Sequence, residues 1–530
     1  MGEKSKNTRW LALDGLNRRE FLIRAAALGL SASALVVFLE ACGSTKTSSP
    51  TPPTPTPSSP PAAGAILDSD AKIDTNLSTP PSASNPTIIK EVDLDSDVIR
   101  INHLLRRAGF GASPIEMQRF ISMGWEATVD YLIEYQDVDD SELESRLASL
   151  ELDLERFAPL QRWWLLHMIY TKRPLQEKMV LFWHGLLTSS FKKGGKGPHM
   201  CNQNELFWEH ALGRYDTLLK AVSRDPAMLM WLDSKSNKKD APNENFAREL
   251  MELFTMGIGN YTERDVRESA RAFTGYTLIK KEFVFNRNQH DFGAKHFLGR
   301  TGNFDGDDIV DIIFEEPVAA EFISRKLFEF FAYDDPEPDI VLSLANTFRS
   351  NNQSIKAVVR EILTSLAFYS PKAYRAKIKS PAELVASTVR ILGIETDGGV
   401  LRKLPDDMGQ SLFNPPDVSG WAGGPAWINS SNLLQRLNFA NLVATARRNI
   451  FNFDPYELVT QKNITSAEGI VDYFISVLLD GNMPPQEREI LVEYVRGLDT
   501  QPSGTGKTTE DEKLRSLVYL VLASPDYQLA

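Results

Sequence analysis

Cysteine is almost missing from this chain: Cys42 and Cys201 are the only two in 530 residues. Cys42 closes an N-terminal segment that reads as an export signal, so Cys201 has no partner left in the mature chain. A disulfide framework and a CxxC-type zinc site are therefore both excluded. Basic excess is missing as well. The formal charge is −12 and the pI about 5.3, which leaves no electrostatic footprint for nucleic acid. No aromatic residue occurs from Leu39 to Gly109, although aromatics make up 10% of the whole. The sequence also contains no HExxH, GxSxG or GxGxxG, so no motif names a reaction. What is present, 42% hydrophobic and 24% charged residues, is ordinary globular composition with material for one large core or two smaller ones.

The N-terminal stretch reads NRREFLIRAAALGLSASALVVFLEAC. Arg18 and Arg19 precede Phe21-Leu22, and an apolar run from Ala25 to Leu39 follows that is too short to span a bilayer comfortably. The pattern resembles a twin-arginine signal over residues 1–42. Its end, Leu39-Glu40-Ala41-Cys42, resembles a lipobox in which Glu40 is an unusual member. Export, with Cys42 acylated as a membrane tether, is the expectation. Residues 43–90 then change composition: seven prolines fall between Pro50 and Pro61. Without aromatics such a segment cannot bury enough apolar surface to offset its ordering entropy, so a disordered, locally polyproline-like spacer is expected.

From about residue 91 to 530 helical periodicity dominates. Pro174 can open a helix in PLQEKMVLFWHGLLTSSF, and EPVAAEFISRKLFEFFA and QSIKAVVREILTSLAFYS read the same way. Strand signals are confined to TLIKKEFVFNRN, where Phe283 and Phe285 alternate with Glu282 and Val284. The expected fold class is mainly α, a large multi-helix domain with a small β excursion near 276–298. VVREILTSLAFYS (358–370) and LRSLVYLVLASPDYQL (514–529) echo each other, either as a duplication or as two similar helix ends.

Two motifs are decoys. GTGKTT (504–509) has Gln501 where a Walker A loop needs its first glycine, and no strand precedes it. NFDGDDIVDIIF has Asp308 and Phe314 where an EF-hand needs glycine and glutamate, so Asp305 reads as a helix cap.

The densest stretch is NENFARELMELFTMG (243–257). Phe246, Leu250, Leu253 and Phe254 share one apolar face, Asn243 can cap the helix and Gly257 can end it. Glu244, Arg248 and Glu252 line up as a salt-bridge ladder. Asn245, Glu249 and Glu252 form a second stripe bordering the apolar face, where a carboxylate needs a partner or a shifted pKa. HDFGAKHFLG (290–299) gathers His290, Asp291, Lys295 and His296 in a loop, a combination that supplies a base or an imidazole ligand with a carboxylate beside it. His184 lies on a largely apolar helix. His103, Arg106 and Arg107 share a helix face before a glycine turn, and a buried glutamate of the 243–257 helix is one expected partner for the arginines. In SGWAGGPAW (419–427), Trp421 and Trp427 form either an open aromatic platform or a packed cap.

The succession HLLRRAGFG, LFWH, PNENFARELMELFTMG, DVRESARAFTGY, HDFGAKHFLG and NPPDVSGWAGGPAWIN resembles the bacterial family called domain of unknown function 1800, over residues 98–530. The resemblance implies an exported, mainly helical and biochemically uncharacterised protein. It also implies a neighbour in domain of unknown function 1501, a family that resembles alkaline phosphatases and sulfatases. Two departures stand out. Leu186 replaces the second histidine of a Phe-Trp-His-x-His pattern, and Tyr276 stands where Thr-Gly-Trp is usual.

Two functions remain open. One is an exported, metal-assisted hydrolase using a divalent ion. Its candidate ligands or acid–base groups are His184, Glu249, His290 and Asp291, with Asn245, Arg248, Arg106 and Lys295 positioning substrate or charge. The other is a non-catalytic surface module that binds a partner protein or a glycan through Trp421 and Trp427.

Overall fold

Helix starts are written into the sequence by proline and by reciprocal caps. Pro114, Pro174, Pro226, Pro317, Pro338, Pro381 and Pro525 each occupy the first turn of a helix, where the missing N–H would be unpaired in any case. Ser113/Glu116, Thr262/Asp265, Asp305/Asp308 and Ser380/Glu383 form complete capping boxes. Asp305 thus accepts from the Asp307 and Asp308 amides at the head of Gly306–Glu315, as a cap and not as a calcium ligand.

The structure is a computed structural model that describes residues 94–193, 196–446, 451–496 and 506–530, the last segment without the side chains of 506–509. The segments expected to be a signal (1–42) and a proline-rich spacer (43–90) and the first two residues of GTGKTT lie outside the described residues; the last four, expected as a polar loop, begin the helix Gly506–Ala523. Helices account for most of what is described, with two two-stranded antiparallel sheets between them. No described helix is long and apolar enough to cross a membrane. Val92–Ala530 forms one unit around one continuous hydrophobic core that runs from Ile101 to Tyr527 and includes the fully buried Trp164 and Trp183.

The β excursion is longer than the sequence suggests. Strand β1 (Tyr276–Ile279) pairs with β2 (Glu282–Phe285), and β3 (Lys295–Phe297) pairs with β4 (Arg300–Gly302). Both hairpins turn through two residues at positive φ: Lys280 and Lys281 at 51° and 73°, Leu298 and Gly299 at 45° and 78°. This is the backbone that hairpin twist favours. Lys-Lys and Leu-Gly are poor sequence signals for it, which is why nothing in the sequence announces β4.

The 243–257 stretch is also not one α-helix. An α segment, Asn245–Glu249, passes into a π-helical turn, Leu250–Thr255. The Met256 amide bonds back to Met251 O, and the Thr255 hydroxyl donates to Leu250 O. The wider turn brings Met251 into the core beside Phe246, Leu250 and Phe254 and leaves Leu253 half-buried. Gly257, at φ 76°, ends it.

The helix-end echo has a local cause. Ser365 accepts from the Phe368 amide and Ser524 from the Tyr527 amide, so both matches carry the same Ser-x-x-aromatic cap.

Candidate functional site: the β excursion and the helix beneath it

Helix Glu263–Ala272 places Asp265, Glu268 and Arg271 three residues apart, a stripe that faces the 290–298 segment. Asp265 accepts from the Leu298 amide at 2.9 Å, and Glu268 accepts from the His296 amide at 2.8 Å. Arg271 donates to Asp291 Oδ2 at 2.7 Å, to Glu268 at 2.8 Å and to Ala294 O at 3.1 Å. Charge-assisted bonds to backbone and carboxylate thus fasten the loop to the helix. The Arg271 guanidinium holds the Asp291 carboxyl below its ordinary range. The Lys295 ammonium is buried and donates to Asp291 O at 2.6 Å and Gly293 O at 3.1 Å. Burial lowers its pKa first, and the neighbouring carboxylates oppose this. Asp291 and Lys295 are therefore occupied in shaping the loop.

His290 is different. Its Nδ1 lies 2.8 Å from Thr274 O. A carbonyl only accepts, so Nδ1 carries the proton and Nε2 bears a lone pair. Nε2 makes no hydrogen bond with a described residue. The ring sits edge-on between Phe285 and Phe292, at centroid distances of 5.1 and 4.6 Å. These two phenylalanines are 38% and 49% exposed. The Arg287 guanidinium lies over Phe292 at 5.5 Å. Gly275 allows the close approach behind His290. At φ 86° it has Asn286 O only 2.7 Å from where a Cβ would lie.

The other candidates are spread out. Glu249 is half-buried at the junction of the α and π turns, and its carboxylate makes no hydrogen bond or ion pair with a described residue. Burial raises its carboxyl pKa, Glu252 raises it further and Arg248 opposes. Neither His290 nor Asp291 is among its partners, contrary to the expectation that it faces the 290–296 loop. Arg248 pairs with Glu244 at 3.2 Å and with both oxygens of Glu263 at 2.8 and 2.9 Å. The ladder therefore leaves its own helix after one rung, and Glu252 accepts from the Tyr261 hydroxyl instead. Asn245 is exposed. Arg106 pairs with Asp480, not with a glutamate of the 243–257 segment. Asp480 sits at φ 58° just past the Ala467–Leu479 helix, a placement that no local pattern announces.

His184 is buried among the rings of Trp164, Phe413 and Trp421, and burial pushes its pKa down to about 3. Its described contacts include none of Glu249, His290 or Asp291. Trp427 is buried and half-buried Trp421 packs on His184, so the 419–427 loop is a cap and not an open platform. Gly420 makes this possible, because a Cβ there would lie 2.4 Å from Gly185 O. Among the described residues no three His, Cys, Asp or Glu side chains gather into a group that fits a metal ion. The four candidate ligands do not form one.

Sequence reading passes over Phe292, Arg287 and the Asp265–Glu268–Arg271 stripe. The i, i+3, i+6 spacing of that stripe is visible in the sequence. Which strand it grips is not.

This architecture, a single helical core with a small β appendage, defines the class. A family model described as Protein of unknown function (DUF1800) matches residues 103–529, and the chain belongs to that family. Comparison with curated proteins returned no match, and comparison with solved structures returned none.

Proposed function

We propose that the protein works outside the cytoplasm, tethered through acylated Cys42, as a binding module for a glycan. The aromatic face around His290 would be its contact surface. One observation carries this reading. Phe285 and Phe292, both substantially exposed, flank an imidazole whose Nε2 is free, and the adjoining Asn286, Arg287, Asn288 and Gln289 supply amide and guanidinium groups. Apolar ring faces beside planar polar side chains suit the alternating CH and OH surfaces of a sugar. The twin-arginine and lipobox-like residues support the location.

A catalytic reading keeps one specific support, the His290 tautomer, in which Nε2 is ready to accept a proton. Its metal-assisted form has no such support, because His184, Glu249, His290 and Asp291 do not converge on one point.

The test is binding of the detergent-solubilised full chain to envelope polysaccharides and peptidoglycan fragments. Phe292→Ala and Phe285→Ala should each weaken binding roughly fivefold, since a stacked ring contributes about 1 kcal/mol. Glu249→Gln and Trp421→Phe should leave it unchanged. Capture of a protein of domain of unknown function 1501 through the same phenylalanines, with no glycan bound, would replace the glycan by a protein partner. Turnover of a bound glycan that is lost in His290→Gln would favour the enzyme. Location is tested separately: Arg18→Lys with Arg19→Lys should block export, and Cys42→Ser should abolish lipid labelling.

A further inference from the structure

Eight lysines fall in three short segments: KKGGK (192–196), KSNKK (235–239) and the β1–β2 turn at Lys280 and Lys281. All eight are exposed, and none makes an ion pair or a side-chain hydrogen bond with a described residue. Lys172, Lys372 and Lys403, exposed elsewhere, are matched by Glu142, Glu337 and Asp407. The fold brings the three segments to one another. Lys193 Nζ lies 4.9 Å from the ring centroid of Trp231, the last residue of the helix that leads into Ser234–Ser236. The Thr277 hydroxyl of β1 donates to Lys235 O at 3.2 Å, and the Lys239 amide donates to Gln289 O at 2.8 Å. Buried His199, in the first turn of Gly197–Glu209, lies against the backbone of Lys281. Burial lowers the His199 pKa most, Lys281 lowers it next and Lys196 adds to this, against the opposing Glu282, so cations from two segments act on one ring. Arg287 adds a ninth cation beside Phe292. The acidic residues in the same stretches, Asp233, Asp240 and Glu282, form no ion pair with any of them. The formal charge of −12 for the whole chain therefore conceals a local excess of positive charge around the β1–β2 hairpin.

We infer that the hairpin region is an interaction surface for an anionic polysaccharide, a glycan with charged groups repeated along its chain. This rests on reading Phe285 and Phe292 as a glycan contact, and it names the class of glycan. A lysine ammonium is a compact charge on a flexible stem, so it reads the sign and spacing of charges and not the two-oxygen geometry that a guanidinium matches. Unpaired like charges on neighbouring segments repel one another, and a polyanion relieves several of these repulsions at once. Because the ammonium groups are exposed, each contributes little alone and their sum is sensitive to salt. A membrane surface suits the region less well. No large apolar side chain is exposed in 192–196 or 235–239, whereas a segment that lies in a lipid interface interleaves lysines with apolar residues.

The experiment is calorimetric titration of the full chain, solubilised in a non-ionic detergent, with polygalacturonate, dextran sulfate and neutral dextran. Saturable binding of at least one polyanion is expected, about tenfold or more tighter than that of dextran and about fivefold or more weaker when ionic strength rises from about 0.05 M to about 0.5 M. Lys196→Gln, Lys239→Gln and Lys281→Gln combined, one from each segment, should weaken it about tenfold. The set Lys172→Gln, Lys372→Gln and Lys403→Gln makes the same change in net charge elsewhere and should leave binding intact. Polyanions bound no more tightly than dextran would overturn the assignment. So would an equal loss in both sets, which reduces the effect to net charge. Duplex DNA or anionic phospholipid vesicles bound as tightly as the polysaccharides, with the same loss in the first set, would also overturn it, leaving a surface that selects charge alone. Phe292→Ala separates this inference from the reading beneath it. Polyanion binding that falls in the first lysine set and not in Phe292→Ala keeps the lysine surface and removes the aromatic contact. The reverse keeps the aromatic contact and removes the lysine surface.

Discussion

His184 and His290 are both buried, yet their ring nitrogens are partnered differently. The Nε2 of His184 is sealed among aromatic rings without a partner, and the ring stays neutral at physiological pH. His290 spends its Nδ1 proton on a backbone carbonyl and keeps Nε2. The same contrast of burial and partners sets a pH dependence at Asp225. This residue caps Pro226–Trp231 and accepts from Gln203 Nε2 at 2.7 Å and from the Met228 amide at 2.8 Å. Burial nevertheless pushes its carboxyl up to about 7. The folded state then holds this proton more tightly than the unfolded state does. The resulting stability is present in full below the ordinary aspartate pKa and is lost as pH rises through about 7. Asp225→Asn keeps an acceptor for both bonds and removes the titration. Denaturation at pH 5 and at pH 8 should show the variant gaining on the parent at the higher pH, by up to a few kcal/mol. An unchanged difference between the two pH values would place the ionised form in the native state.

At the scale of elements, the 276–302 excursion depends on backbone that only certain residues adopt. Gly275 is the hinge between Glu263–Ala272 and β1, and its amide donates to Asn237 O. Gly275→Ala combines strained φ with a clash against Asn286 O, and should destabilise by about 2 kcal/mol or more. Loss of amide protection concentrated in 276–302, with the helical core unaffected, is the expected hydrogen-exchange result. Uniform loss would mean that the excursion is an integral part of the core. Helix ends are largely legible in the sequence, because a cap needs only the next three or four residues: Asp305 and Pro174 both read correctly. The π turn is not. Its cause is the Thr255 hydroxyl bond to Leu250 O together with the demand of the core for Met251, and a period of 3.6 cannot anticipate either.

Across the whole molecule, buried charges join segments that are remote in sequence. Lys178 is buried, pairs with Glu383 and also donates to Gly109 O. Arg107 donates to Phe330 O and Phe331 O at the end of Pro317–Phe331, and Arg436 donates to Lys379 O and Trp427 O. These bonds fasten the HLLRRAGFG turn and the 419–427 loop into the core. Removing one partner leaves an uncompensated buried charge, so Lys178→Met should lose about 3–5 kcal/mol. Lys178→Met combined with Glu383→Gln should recover a substantial part of that loss. A double variant no better than the single would show that the Gly109 and Ser380 contacts of the pair dominate.

Local sequence determined the helical class, the caps, the strand alternation at Phe283 and Phe285, and the order of motifs that marks the family. All but the last depend on residues within about four positions of one another, the range of a helical turn or of a strand's pleat, and the family is marked by short motifs that are each local in the same way. Tertiary structure alone decided that Trp421 packs on His184 and that Arg106 finds Asp480. It alone left Phe292 exposed. Such pairings join segments up to hundreds of residues apart, where the winning partner is whichever side chain the packed core presents.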